Sequence, residues 1–164
     1  MSGTPTDLTR ITDIVESAVD ATTEFRSPKV KKLADWWRTA SGGCMPRRAA
    51  FDILDHRPIV ASLFLVEVQA DGDFLFKLLG EEVIQIIGRN RTGETVRRVN
   101  IGEYGHELYE YYRSVVAGGV CRRCTGTLTF SIGGLRRFES IDCPLADDRG
   151  EQVAAIIGVM DVVK

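Results

Sequence analysis

The chain has 164 residues, 44% hydrophobic and 27% charged, enough apolar material for one packed domain plus an extension and too much for a disordered segment. A net charge of −2 and a pI near 5.7 give no general reason to expect nucleic-acid binding. No apolar run approaches the roughly 18 residues of a membrane span, and Met1–Leu8 lacks the basic and then apolar regions of a signal peptide. A soluble, cytoplasmic protein whose four cysteines are reduced thiols is therefore expected.

Taken in order, residues 7–25 read as an amphipathic helix capped by Thr6 or Asp7, because Leu8, Ile11, Val15, Ala18, Thr22 and Phe25 recur at spacings of three and four. Ser27-Pro28 restarts the chain as N-cap and first helical residue. Val30, Leu33, Ala34, Trp37 and Trp36 give this second helix its apolar face, and Gly42-Gly43 ends it. Residues 44–58 form an Arg-containing ordered connector with Pro46 and Pro58. The core domain starts near Ile59. Leu63–Val68 and Phe74–Leu79 are antiparallel strands joined by the hairpin turn Ala70-Asp71-Gly72-Asp73.

Gly80 then breaks the strand, Glu81–Ile87 makes a short helical crossover, Gly88 stops it, and a basic turn runs to Gly93. Glu94–Asn100 reads as a short helix or irregular segment. Residues 103–117 are the clearest helix, with Tyr104, Leu108, Tyr111, Tyr112, Val115 and Val116 on one face and Glu103, Glu107, Glu110 and Arg113 on the other. Leu128, Phe130 and Ile132 alternate with Thr127, Thr129 and Ser131, the period of a strand. Gly133-Gly134 turns the chain, Arg136–Leu145 returns, and Val153–Val162 closes the sheet after the Asp147–Gly150 turn. The class expected is α+β: five antiparallel strands with helices on one face, preceded by a helical extension. The divisions expected are 1–27 for a dimerising helix, 28–58 for the second helix and connector, and 59–164 for the core.

The segment Cys143-Pro144-Leu145-Ala146-Asp147-Asp148-Arg149-Gly150, followed by Ile156-Ile157-Gly158-Val159-Met160-Asp161-Val162, resembles the close of many PAS domains. Leu33-x-x-Trp36-Trp37, Pro46-Arg47-x-x-x-Phe51-Asp52 and Leu79-Gly80…Gly88-Arg89-Asn90-x-Thr92-Gly93 resemble a subfamily of single-domain PAS proteins common in α-proteobacteria, mostly of unknown function. Ile53 departs from that pattern, since Pro often follows the acid that Asp52 matches. The resemblance covers about residues 28–162. It implies a bacterial sensory module whose five-stranded sheet and crossing helices enclose a small pocket.

Gly88-Arg89-Asn90-Arg91 is similar to the flavin-binding branch of the family, but Arg91 stands at the position of the flavin-linking cysteine, so that adduct has no thiol. His106 lies on the helix that carries the iron-binding histidine in haem-binding relatives, yet off the stripe of Tyr104, Leu108 and Tyr112, and reads as a surface residue. His56 gives no functional signal. Cys121-Arg122-Arg123-Cys124 has the spacing of half a zinc site or a redox pair, without a second pair of ligands. A two-residue turn at Gly133-Gly134 would set Cys124 opposite Cys143 but also Arg137 beside Phe130, so the cysteine pairing stays open. Glu81-Glu82 and Asp147-Asp148 read as helix-start and turn carboxylates, and the arginine pairs as a solvated surface.

The function expected is that of a non-enzymatic sensory module with no cofactor, which binds an unidentified small ligand, a partner protein or both and signals through protein contacts. Its pocket candidates are Phe76, Val83, Ile87, Leu108, Tyr112, Val115, Leu128, Phe130 and Ile157. Its homodimer candidates are Leu8, Ile11, Val15, Ala18 and Phe25. Two alternatives remain: a ligand-free interaction module with a filled core, and a cysteine metal, redox or haem-binding sensor.

Overall fold

The computed structural model describes residues 10–40, 42–97, 105–130 and 133–164, with every side chain among them but that of His106. Expectations resting on Leu8, residues 98–100, Tyr104, the His106 side chain and Ile132 lie outside the described residues. In chain order come β1 (Arg10–Ala18), α1 (Pro28–Ala40), 3-10 helices at Arg48–Ala50 and Ile53–Ser62, β2 (Leu63–Val68), β3 (Phe74–Leu79) and α2 (Glu81–Ile87). Then follow β4 (Thr95–Val96), α3 (Gly105–Gly118), β5 (Arg122–Thr129), β6 (Leu135–Ala146) and β7 (Val153–Val163).

The strands form one antiparallel sheet of seven in the order β1-β5-β6-β7-β2-β3-β4, where five were expected. The added strands are the two edges. β4 falls in the segment read as helical or irregular, and it pairs Thr95 with Leu75 and Val96 with Phe74. The hairpin, the crossover helix and the long closing strands form where the sequence pattern puts them. Gly88 ends α2 in the left-handed conformation at φ 94°, which a glycine adopts without strain.

The N-terminal helix expected over 7–25 is corrected: its described part is strand β1 followed by a turn. Ile11, Thr12, Ile14 and Val15 are β-branched, which favours a strand, and the long partner β5 supplies a ladder for them. A bulge also interrupts the strand, so residues four apart do not share a face. The pairing slips between Thr12 and Val15, with Asp13 at φ 55°, so Asp13 and Ile14 together face Gly126 on β5, one residue too many. Ile11 opposes Leu128 and packs partly into the core, whereas Val15 opposes Thr125 on the other face and is exposed. Phe25 packs partly against α1's cluster. The helical seam on which self-pairing was based is thus not formed.

Helices also cover both faces of the sheet rather than one. Val30, Leu33 and Ala34 of α1, with Phe51 and Ile59, share a buried cluster with Leu63, Leu65, Ile141, Cys143, Leu145, Ile157 and Val159. The opposite face buries Val83 and Ile86 of α2 and Tyr109, Tyr112 and Val115 of α3 with Phe64, Val66, Phe74, Phe76, Leu128, Phe138, Ile156 and Met160. Strand alternation sends neighbouring residues to different clusters. Phe64 lies across Gly158, its partner on β7, where an added Cβ would sit 2.1 Å from the ring.

Ser27 caps α1 as the sequence suggests, its Oγ accepting from Val30 N–H at 3.2 Å and donating to Asp161 Oδ2 at 2.7 Å. Beneath it Glu139, 0% exposed, accepts from the N–H groups of Arg26 and Ser27 and pairs with Arg123 at 2.6 Å. Trp37 Nε1 donates to Pro144 O at 2.8 Å, tying the far end of α1 to the same strand. Removing one member of a buried pair strands the other charge, typically at about 3–5 kcal/mol. Glu139→Ala should therefore lower unfolding stability by that order in urea denaturation; a loss within 1 kcal/mol would show that the pair does not hold α1.

Candidate functional site

All of the pocket candidates except Ile157 meet in the α2/α3-side cluster. Phe76, Val83, Tyr112, Val115 and Leu128 are buried there, and Ile87, Leu108 and Phe130 pack partly against it. Ile157 is corrected: one position out of phase on β7, it lies in α1's cluster, and Ile156 takes the inner place. Aromatic rings make one wall. Phe74 sits 5.6 Å from Tyr109 and 5.4 Å from Tyr112, Phe76 lies 6.3 Å from Tyr112, and the Arg91 guanidinium stands 5.0 Å above Phe76. Burial pushes the Tyr112 phenol well above its ordinary value.

The polar end of the site comes from four elements. Antiparallel register places Asp142 on β6 opposite Arg122 on β5, and Ser140 opposite Cys124. Tyr111 reaches down from α3 and donates its hydroxyl to Asp142 Oδ2. Asp142 is 2% exposed, and burial raises its carboxyl to about 7; Glu16 adds to the rise, while the Tyr111 hydrogen bond and Arg122 oppose it. Arg122 lies between two acids: a terminal nitrogen is 3.8 Å from Glu16 Oε1 on β1. Its Nε is buried without a hydrogen-bond partner among the described residues. A carboxyl accepts several hydrogen bonds and this one has a single donor among the described residues, so an acceptor and a donor stand under-used on register-paired residues.

Chemically this is a buried polar group with one titrating carboxyl, and its thiol is not activated. Burial, followed by Asp142 and Glu16, pushes Cys124 up to about 12, far from the thiolate a nucleophile needs. No group of three or more His, Cys, Asp or Glu able to hold a metal occurs among the described residues. The register also closes the question of Cys124 and Cys143: Thr129 pairs with Leu135, so Cys124 faces Ser140, and the Cys143 thiol meets Cys121 instead. His56, silent in the sequence, is buried against Phe51 (4.6 Å, stacked) and Trp36 (5.3 Å, edge-on) on α1's side, and burial lowers its imidazole.

Sequence reasoning missed Asp142 and Arg122 and kept Tyr111 only as part of a helix face. The available signal was an acid inside the apolar run Ile141-Asp142-Cys143-Pro144-Leu145, a place where a carboxylate is costly unless it has a task.

The sequence model of a family described as PAS domain matches residues 25–161. Comparison with curated proteins finds no match. Among solved structures, the chain is similar to an RNA-binding Light-Oxygen-Voltage receptor, with a TM-score of 0.52 and 15% identity over 92% of this chain and 38% of that one. At that identity the likeness concerns the fold, and the chain spans well under half of that receptor's length.

The raised Asp142 carboxyl fixes the sign of a pH effect. Its folded value of about 7 exceeds the ordinary aspartate value near 4, so folding binds a proton between them. The stability it contributes is fully present below pH about 4, is lost as pH rises toward 7, and is level above. Asp142→Asn keeps an oxygen for Tyr111 and removes the titration. From pH 5 to pH 8 the wild type should lose on the order of 2–3 kcal/mol relative to that variant in urea denaturation; identical pH dependence in the two proteins would contradict the assignment.

Proposed function

Because the chain belongs to the PAS domain family, we propose that it works as a sensory module and not as an enzyme, taking a small molecule between α2, α3 and the sheet and signalling through contact with a partner protein. The observation that carries this reading is the Tyr111–Asp142–Arg122 group, buried under α3 with a donor left unpartnered and an acceptor under-used among the described residues. A ligand offering one donor and one acceptor, such as an amide or alcohol, satisfies both, and its apolar body matches Tyr112, Val115, Leu128 and Phe76. Arg122 also adjoins Glu16, so a changed charge on Asp142 is felt at edge strand β1, where Ile14 and Val15 are exposed for a partner.

The RNA binding named for the structural neighbour stays with that receptor, since the net charge here is −2. Covalent flavin chemistry is not part of the proposal, because Arg91 stands where the resemblance puts the cysteine. The absence of a helix long and apolar enough to cross a membrane among the described residues fits a cytoplasmic role. The filled-core alternative is favoured by the near-complete burial of Tyr112, Val115 and Leu128.

Native mass spectrometry with an absorbance spectrum separates the two readings. A sensor should carry a stoichiometric small molecule without visible colour, and Val115→Trp should displace it while the melting temperature stays within a few degrees. An empty wild type, with Val115→Trp losing the roughly 1–3 kcal/mol that overpacking costs, would establish the filled core.

A further inference from the structure

Two thiols on the opposite face of the sheet meet where no role has been assigned. Cys121 and Cys143 are both free, 2% and 0% exposed, and their sulfurs lie 2.8 Å apart in α1's cluster. The β5–β6 register accounts for the contact: Arg122 pairs with Asp142, so the next step outward brings Cys121 alongside Cys143. The positions differ in access. Cys143 lies mid-strand in β6, between β5 and β7 and paired with Ile157. Cys121 precedes β5, three residues after α3 ends at Gly118, and follows the left-handed Gly119 and the exposed Val120. Opening of this short link alone would uncover Cys121 without melting the sheet.

We propose that Cys121 and Cys143 form an oxidisable dithiol, closed to a disulfide by a small hydroperoxide, which fastens the exit of α3 to the centre of the sheet. Cys121 reacts first: its thiolate attacks the distal peroxide oxygen, the O–O bond breaks, and the other oxygen leaves as an alcohol (water, for hydrogen peroxide) after taking a proton. The sulfenic acid on Cys121 is then attacked by the Cys143 sulfur, the S–S bond forms, and the hydroxyl leaves as water with the Cys143 proton. The two thiols together lose two electrons and the peroxide gains them. Burial holds the Cys143 thiol well above its ordinary value, in keeping with its part as the second, resolving sulfur. The bond would close a loop containing β5 and most of β6, and it would restrain the helix that covers the candidate site on the other face.

The sequence makes the test direct, because cleavage after Arg113, Arg122, Arg123, Arg137 and Arg149 puts Cys121, Cys124 and Cys143 on different peptides. The full chain is treated with hydrogen peroxide while circular dichroism shows it folded, its remaining thiols are alkylated in denaturant, and a non-reducing tryptic map is recorded. The expected result is a link between peptides 114–122 and 138–149, a rise in melting temperature of about 5–10 °C, and, in Cys143→Ala, a sulfenic acid on Cys121 trapped by a 1,3-dicarbonyl probe. Should that variant fail to fold, the wild-type map decides alone. The proposal is overturned if Cys121 and Cys143 remain alkylatable after exposed Cys44 is consumed, or if their links run to Cys44 or Cys124.

Discussion

Strand β6 is buried from Phe138 to Ala146, and its side chains alternate between two cores. An acid anywhere in that stretch has to be satisfied inside the protein, because isolating a charge there costs far more than the chain's net stability. The strand carries two, and they are treated differently. Glu139 faces α1 and is fully engaged by two backbone N–H groups and the Arg123 guanidinium. Asp142 faces α3 and has one hydrogen-bond donor among the described residues, the Tyr111 hydroxyl, with Arg122 adjoining it and shared toward Glu16. The first acid fixes a helix to the sheet; the second holds one by a contact that a proton or a ligand can change.

That difference sorts the rest of the molecule. On α1's side the aromatic and aliphatic packing is supplemented by Trp37 to Pro144 and Ser27 to Asp161, which tie the helix at both ends. On the other side α3 rests mainly on apolar and aromatic contact, with the Tyr111–Asp142 bond as its polar tie among the described residues. Such a face is the one expected to respond to an occupant, since few directional contacts need breaking for the helix to move. The cysteine pair lies on the rigid side but at the exit of α3, so it acts on the same helix from behind.

Much of this was legible in the sequence, and the gaps have particular causes. The Asp71-Gly72 hairpin, Ser27 as cap and Gly88 as stop could be read because a local rule dictates each. The apolar members of the candidate site were legible from helix and strand periods, since both patterns point at one core. β1 was not, because its apolar residues recur by chance at a helical spacing without sharing a buried face, and the partner that makes it a strand lies more than a hundred residues away. Ile157 was misplaced because a strand buried on both faces has no alternation to fix its phase. Cys121 and Cys143 could not be paired without the register of a turn whose length the glycines alone do not determine. Asp142 needed the knowledge that its strand is central, which only the topology supplies.

The site turns on Asp142 being a buried carboxyl balanced near neutrality, with the Tyr111 hydrogen bond opposing the rise that burial imposes. Carbon-13 NMR of aspartate side-chain carboxyls across a pH titration measures this directly. One resonance, lost in Asp142→Asn, should titrate with a midpoint of about 7, and in Tyr111→Phe that midpoint should move higher because the hydrogen bond favouring the charged form is gone. If the resonance lost in Asp142→Asn instead titrates near the ordinary aspartate value, or does not shift in Tyr111→Phe, the account of the site is wrong.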